Sequence, residues 1–124
     1  DLEELAIELN LDGQVKFTGE IQNPFPYMAR SSVFALPSAT EAFGNVIVEA
    51  MACGCPVVAT RSSTGPATIL NDGEYGRLTP VGDASAMAKA LRAELADPTP
   101  EPVLQSRAAD FSVDAILPRF EALL

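Results

Sequence analysis

The sequence predicts an α/β fold in which helices cover both faces of a parallel sheet. Helix-like and strand-like segments alternate along the 124 residues, an order that calls for parallel strands joined by helical crossovers. Two of the strand-like segments, "SVFALPS" and "CPVVATRSS", are nearly continuous apolar runs, which are typical of parallel strands buried on both faces. The length and the hydrophobic content of 48% indicate one globular domain.

The first third of the chain predicts a helix, a short strand, a helical turn and a buried strand. "DLEELAIELNLDG" has a mixed helical pattern of leucines that stops at Asp12 and Gly13. "QVKFTG" alternates Val15 and Phe17 with polar residues, which predicts a short strand that ends at Gly19. "NPFPYMARS" carries two prolines and predicts a short turn of helix before the strand "SVFALPS".

The middle of the chain repeats this order. "GNVIVEAMACG" predicts a helix that Gly54 stops, and "CPVVATRSS" predicts the next buried strand. "GPATILNDGEYG" begins a turn of helix at its proline and ends in a turn rich in Asn, Asp and Gly. "RLTPV" then predicts another short strand.

The C-terminal part is predicted to be helical. "DASAMAKALRAELAD" begins with Asp83 as N-cap and carries Met87, Leu91 and Leu95 at four-residue spacing, which indicates an apolar stripe. After the break "PTPEP", residues 97–124 predict two more helices, "VLQSRAADF" and "SVDAILPRFEALL".

Charge and hydropathy exclude several classes of function. The net charge is −9, with eight basic residues and no histidine, which argues against nucleic acid as a partner because clustered Lys and Arg bind phosphate backbones. No apolar run approaches the roughly 18 residues that span a bilayer, and no basic-then-apolar leader opens the chain. We therefore expect a soluble chain in which local donors meet any phosphate ligand.

The two cysteines, Cys53 and Cys55, form a C-x-C pair in "MACGCPVV". They are too close for an ordinary disulfide and too few for a zinc site, and the chain has no histidine to act as base for a catalytic thiol. We expect both to be small core residues in a reducing compartment.

The stretch "EAFGNVIVE" at residues 41–49 leads from the loop after a strand into a helix. A helix that begins near Gly44 and Asn45 points free backbone N–H groups and its positive dipole end beyond the strand ends, where ligands bind in such folds. Gly44 allows a ligand to approach the backbone closely. This arrangement predicts an anion site suited to a diphosphate.

Two acids bracket that site. Glu49 lies one turn deeper than Asn45 on the same face, where its carboxylate can accept bonds from both hydroxyls of a ribose. Glu41 stays in the loop on the other side of the phosphate, where a sugar would lie. Either acid could instead be a solvated surface residue. The apolar neighbours of Glu49 predict a buried carboxylate, which would need a ligand to offset its burial.

From "FTGEIQNPFPYMARSS" through "EAFGNVIVEAMACGCPVVAT" to "GPATILNDGEYGRLTPVGD", the chain resembles the C-terminal, donor-binding domain of the retaining glycosyltransferases of family four. The resemblance covers roughly residues 1–97. The E-x7-E motif of Glu41 and Glu49, with "AMACGCPVV" behind it, carries the resemblance. It implies the GT-B fold, with a Rossmann-like half and a nucleotide diphosphate sugar in the cleft between two domains.

The resemblance also implies roles for individual residues. Glu41, the candidate catalytic residue, would contact hydroxyls of the donor sugar without acting as a classical nucleophile, and Glu49 would bind the ribose. Backbone contacts to the donor sugar and diphosphate would come from Phe43, Gly44 and Asn45. The loop along the nucleobase would be formed by Phe17, Thr18 and Gly19. Because such enzymes are generally metal-independent, we expect neither a metal nor another cofactor.

Further positions are either marks of a subfamily or ordinary turn residues. These positions are Asn23, Pro24, Ser63, Thr64, Gly65 and Pro66.

The chain also departs from the family pattern. The family's donor domain opens with two strand–helix units that carry an Arg and a Lys against the diphosphate, and none of the eight basic residues here matches that pair. We therefore interpret residues 1–124 as a partial donor domain, truncated at its N-terminus and lacking the N-terminal acceptor domain as partner. We expect no transferase activity from it alone, and an exposed sheet edge that favours self-association.

The leading hypothesis is that the chain is part of an enzyme of polysaccharide biosynthesis, which transfers a hexosyl group to a glycan or a lipid-linked acceptor. Two alternatives stay open at this point: a non-catalytic interaction module that binds a partner protein through its acidic surface, and a nucleotide-sugar epimerase domain. The expected localisation is cytoplasmic, with the inner face of the membrane as the alternative for the full-length enzyme. We expect no direct membrane contact from this domain.

Overall fold

The structure is a computed structural model that describes residues 1–114. It confirms the predicted α/β architecture. Its three strands are β1 (Phe34–Leu36), β2 (Val57–Thr60) and β3 (Arg77–Thr79). Its helices are α1 (Leu2–Glu8), α2 (Phe25–Arg30), α3 (Asn45–Ala52), α4 (Thr64–Ile69), α5 (Ala84–Ala96) and α6 (Glu101–Ala109), with a 3-10 turn at Asn71–Gly73. The predicted last helix falls, from residue 115 onward, outside the described residues.

The three strands form a parallel sheet in the order β1-β2-β3. Leu36 pairs with Ala59, and Thr60 pairs with Thr79, so the carboxyl ends of the strands lie at one edge of the sheet. All four residues of β2 are buried, as its apolar run predicts. The prediction that β1 is covered on both faces is wrong, because Ala35 is exposed and α5 packs against β2 and β3 instead.

The main core lies on one face of the sheet, between β2 and the helices α3, α4 and α6. Val57 and Ala59 point into this core, and because side chains alternate along a strand, Val58 points to the other face, where α5 packs. The largest fully buried apolar side chains of the core are Ile47, Met51, Ile69, Leu70 and Leu104. The chain thus places helices on both sides of β2, in the manner expected for a wound parallel sheet.

Two further expectations are corrected. The segment "QVKFTG" is not a strand: the Val15 N–H donates to the Leu11 carbonyl, and the segment pairs with none of the three described strands. Without a neighbouring strand to complete its hydrogen bonds, an alternating pattern does not make a strand. Leu95 belongs to the predicted stripe of α5 but is 53% exposed, because the inward position at this end of the helix is taken by Glu94.

Glu94 is the buried charge that the sequence pattern does not reveal. Its side chain is 3% exposed and accepts hydrogen bonds from the Thr99 backbone N–H at 2.7 Å and the Thr99 hydroxyl at 2.6 Å. The Arg77 guanidinium, at the start of β3, donates to the second carboxylate oxygen at 3.0 Å. Glu94 therefore ties α5 both to β3 and to the connection that leads into α6.

The cysteines occupy the end of α3 and the residue before Pro56. Cys55 is buried in the main core, whereas Cys53 is half-buried. Burial raises the pKa of the Cys55 thiol, and the neighbouring Cys53 raises it further. A raised pKa keeps the thiol protonated and poorly nucleophilic, which agrees with the expected role of Cys55 as a core residue.

We predict that Glu94→Ala lowers the free energy of unfolding by about 2–3 kcal/mol, because it leaves the Thr99 donors and the Arg77 charge without their acceptor. Glu8→Ala, which removes an exposed acid of α1, is the matched control and should change stability by less than about 0.5 kcal/mol. Chemical denaturation of the three proteins measures both values. Equal stability of the Glu94 and Glu8 variants would show that the buried carboxylate contributes nothing.

Candidate functional site

The candidate site lies at the edge of the sheet where β1 and β2 end. The loop after β1 leads into α3, and the short loop after β2 leads into α4, so the N-termini of two helices meet here. Gly65, in the first turn of α4, packs directly on the backbone of Phe43: a Cβ at this position would lie 2.1 Å from the Phe43 carbonyl oxygen. Gly65 is therefore needed for close packing and is more than an ordinary turn residue.

The start of α3 has the predicted form. Gly44 is the N-cap, with φ 96° and ψ 44°, a left-handed conformation that favours glycine. Its carbonyl accepts the Ile47 N–H at 2.8 Å, and no side chain within the described residues caps this end. The first N–H groups of α3 are therefore available to an external acceptor, at the positive end of the helix dipole.

Glu41 is tethered to the ends of both strands. It is half-buried, and its Oε2 accepts a hydrogen bond from the Ser38 hydroxyl at 3.1 Å. The Ser38 carbonyl in turn accepts from the buried Thr60 hydroxyl at 2.5 Å, which also donates to the Leu36 carbonyl at 3.3 Å. The sequence analysis missed Ser38 and Thr60, although both are polar residues at the carboxyl ends of strands, where ligand sites form.

Glu49 lies where its spacing predicts, one turn after Asn45, but it is exposed. The expectation of a buried carboxylate is wrong, because Ile47, Ala50 and Met51 take the core face of α3. Asn45, Glu49 and Ala52 share the outer face of the helix. Burial therefore does not argue for a ligand at Glu49. The remaining argument for a ligand at Glu49 is its position beside the uncapped N-terminus of α3.

The predicted nucleobase loop, Phe17 to Gly19, is exposed. The Thr18 hydroxyl donates to the adjacent Gly19 carbonyl at 3.1 Å, and within the described residues no hydrogen bond joins this loop to residues 41–49. Glu41, Phe43, Gly44, Asn45 and Glu49 therefore lie together at the start of α3, whereas no hydrogen bond in the described part of the chain ties the nucleobase loop to them.

Phe43, in the loop that leads into α3, belongs to a cluster of aromatic rings around an arginine. The rings of Phe43 and Phe111 meet edge to face, with their centroids 5.9 Å apart and an interplanar angle of 61°. The Arg107 guanidinium carbon lies 4.8 Å from the ring centroids of both Phe111 and Tyr75. The sequence analysis missed this cluster, because its members are far apart in the chain.

The basic residue that follows β2 is engaged in an ion pair away from the site loop. Arg61, the first residue after β2, pairs with Asp72 at 2.8 Å in an exposed ion pair.

Within the described part of the chain, no three His, Cys, Asp or Glu side chains come together as a metal site would require. Every helix in residues 1–114 is too short or too polar to span a bilayer.

Comparison with known proteins agrees with the fold. The family model for glycosyl transferases group 1 matches residues 1–97. A lipopolysaccharide core biosynthesis glycosyltransferase of Rhizobium meliloti is 37% identical over 120 residues, which are 97% of this chain and 34% of that protein. An N-acetylgalactosaminyltransferase of Campylobacter jejuni that acts on a diphospho-undecaprenol-linked sugar is 39% identical over 93 residues, covering 75% of this chain and 26% of that protein.

Solved structures show the same relationship. Sucrose-phosphate synthase from Thermosynechococcus elongatus superimposes with a TM-score of 0.85 at 36% identity, covering 98% of this chain and 32% of that chain. Anabaena HepE in complex with UDP superimposes with a TM-score of 0.88 at 31% identity, covering 98% of this chain and 35% of that chain. The chain thus spans about a third of the length of these relatives. It belongs to the glycosyl transferases of group 1, and its sheet and helices have the Rossmann-like fold of GT-B enzymes.

Proposed function

We propose that this chain is the donor-binding part of a retaining glycosyltransferase, which transfers a hexosyl group from a nucleotide diphosphate sugar to a glycan or a lipid-linked acceptor. One observation carries the proposal: the uncapped N-terminus of α3 opens at the carboxyl edge of the sheet between two acids, Glu41 and Glu49. The family match and the complex of HepE with UDP support it. They also favour a transferase over the interaction module and the epimerase.

The start of α3 binds the diphosphate. Backbone N–H groups in its first turn donate to phosphate oxygens, and the helix dipole stabilises their negative charge. Gly44 takes the left-handed conformation that starts the helix, and Phe43 and Asn45 supply the adjacent backbone. When the bond between the sugar and the phosphate breaks, negative charge grows on the leaving diphosphate. The same donors then stabilise the transition state more than the bound donor.

The two acids bind the ends of the donor. Ser38 occupies Oε2 of Glu41, which leaves Oε1 to accept from a hydroxyl of the transferred sugar. Glu49, one helical turn away on the solvent side of α3, accepts from the ribose hydroxyls. Phe17, Thr18 and Gly19 lie along the nucleobase. Glu41 orients the sugar and is not the nucleophile, and the reaction needs no metal.

The remainder of the enzyme supplies what this chain lacks. Cationic side chains from outside these residues neutralise the diphosphate, and an N-terminal domain holds the acceptor. The names of the relatives from Rhizobium meliloti and Campylobacter jejuni support a saccharide acceptor in cell-surface polysaccharide assembly. The reaction takes place in the cytoplasm or at the inner face of the membrane, and this domain makes no direct contact with lipid or nucleic acid.

We predict that residues 1–124 alone bind nucleoside diphosphates weakly, with Kd above about 1 mM, and transfer no sugar. The reason is electrostatic: the chain carries a net charge of −9, and Arg61 at this edge already pairs with Asp72. Titration calorimetry with UDP, GDP and ADP measures the affinity, and circular dichroism checks that the chain is folded. Micromolar binding by the folded chain would contradict the prediction.

In the complete enzyme, we predict that Glu49→Ala weakens binding of the nucleoside diphosphate by about tenfold or more, through the loss of charge-assisted bonds to the ribose. The matched control, Glu8→Ala, removes the same charge from α1 and should bind like the wild type. A second comparison uses a nucleoside diphosphate with 2′-deoxyribose in place of ribose. The wild type should bind the deoxy ligand more weakly than the ribose ligand, whereas the Glu49 variant should bind both equally. Equal discrimination by both proteins would exclude Glu49 from the ribose site.

In the same enzyme, we predict that Glu41→Ala lowers kcat/KM for the donor by about 10–100-fold, the cost of one charge-assisted bond to the sugar. Binding of the nucleoside diphosphate without its sugar should change little, because Glu41 lies beyond the phosphate. Steady-state kinetics and calorimetry give the two numbers. Parallel losses in both would mean that Glu41 supports the loop and does not contact the sugar.

A further inference from the structure

The ring of Phe43 is held by a residue beyond the segment that the family model matches. Phe43 is 38% exposed, and its ring and the Phe111 ring meet edge to face at a centroid distance of 5.9 Å. Phe111 follows α6 and lies beyond residues 1–97, the part that the family model matches. A residue beyond the family-model match therefore contacts one whose backbone borders the start of α3.

Phe111 is itself fixed by Arg107. The guanidinium carbon lies 4.8 Å from the ring centroids of Phe111 and Tyr75, at the separation of a cation–π contact. The Arg107 side chain is 18% exposed, so this contact is partly shielded from water. Its Nη1 also reaches Asp110 at 3.2 Å.

Arg107 is anchored on α4. Its Nε donates to the Ile69 carbonyl at 2.9 Å, and its Nη2 donates to the Thr68 carbonyl at 2.8 Å. The other end of α4 presses on the site loop, where Gly65 lies against the Phe43 backbone. Phe43 is thus held by α4 through its backbone and by Phe111 through its ring, and Arg107 joins both supports.

We propose that Phe111 is a positioning residue, which acts through Phe43 to set the backbone at the N-terminus of α3 for the donor's diphosphate. The inference rests on the proposed function, because it assigns that backbone to the diphosphate. Backbone N–H groups that must meet a ligand within tenths of an ångström depend on neighbouring residues that fix their position. The Phe43 side chain is partly exposed, and the contact with Phe111 restrains its ring.

The test compares UDP, GDP and ADP, each with its own nucleoside, on the complete enzyme by calorimetry. Phe111→Leu keeps an apolar side chain but removes the ring that meets Phe43. This variant should bind the diphosphate that the wild type prefers about tenfold more weakly. Its affinity for the matching nucleoside should fall by less than about twofold. Phe111→Tyr, which keeps the ring, should restore the affinity. Phe25→Leu, the same change at an exposed phenylalanine of α2, is the matched control and should bind like the wild type.

A double variant asks whether the effect passes through Phe43. Phe43→Leu with Phe111→Leu should bind the diphosphate no more weakly than Phe43→Leu alone. Additive losses, an equal loss for the nucleoside, or a Phe111→Leu protein that fails to fold would each overturn the inference while leaving the proposed function intact. A wild-type enzyme that binds none of the three diphosphates would overturn the proposed function, and the inference with it.

Discussion

The contact between Gly65 and the backbone of Phe43 is the constraint on which the site depends. Two parallel strands whose carboxyl ends lie side by side bring the following loops together, but only a residue without a side chain lets α4 start against the loop that precedes α3. Hydrogen bonds connect the same two loops: the Thr60 hydroxyl donates to the Ser38 carbonyl, and the Ser38 hydroxyl donates to Glu41. The Gly65 contact and these hydrogen bonds therefore hold the loop that carries Glu41 and Gly44, although most of its residues are exposed to solvent.

The proposed anion site is formed by backbone groups, which makes it compatible with the acidic composition of the chain. A helix N-terminus attracts negative charge with dipoles that no change of pH removes, so it functions within a domain whose net charge is −9. The nearby Arg61 is neutralised by Asp72. Under the proposed function, local dipoles orient the diphosphate, and the long-range attraction of a charged donor comes from elsewhere in the enzyme.

Local patterns predicted the elements well, and long-range contacts escaped them. β2, α3 and α5 follow from apolar runs, from Gly54 and from the Asp83 cap, all of which act within a few residues. The errors arose where sequence neighbours were taken for spatial neighbours. Glu49 stands among apolar residues in the chain but on the outer face of its helix. Phe111, the partner of Phe43, is 68 positions away, and no local pattern links them.

The aromatic cluster also bears on how such enzymes exchange parts. A recombination point at residue 97, where the family-model match ends, would separate Arg107 and Phe111 from the loop and the helix they contact. A recombinant joined there would keep both glutamates but lose the residues packed against Phe43. Under the proposed function, the segment that must be inherited together therefore extends beyond the E-x7-E motif to Phe111.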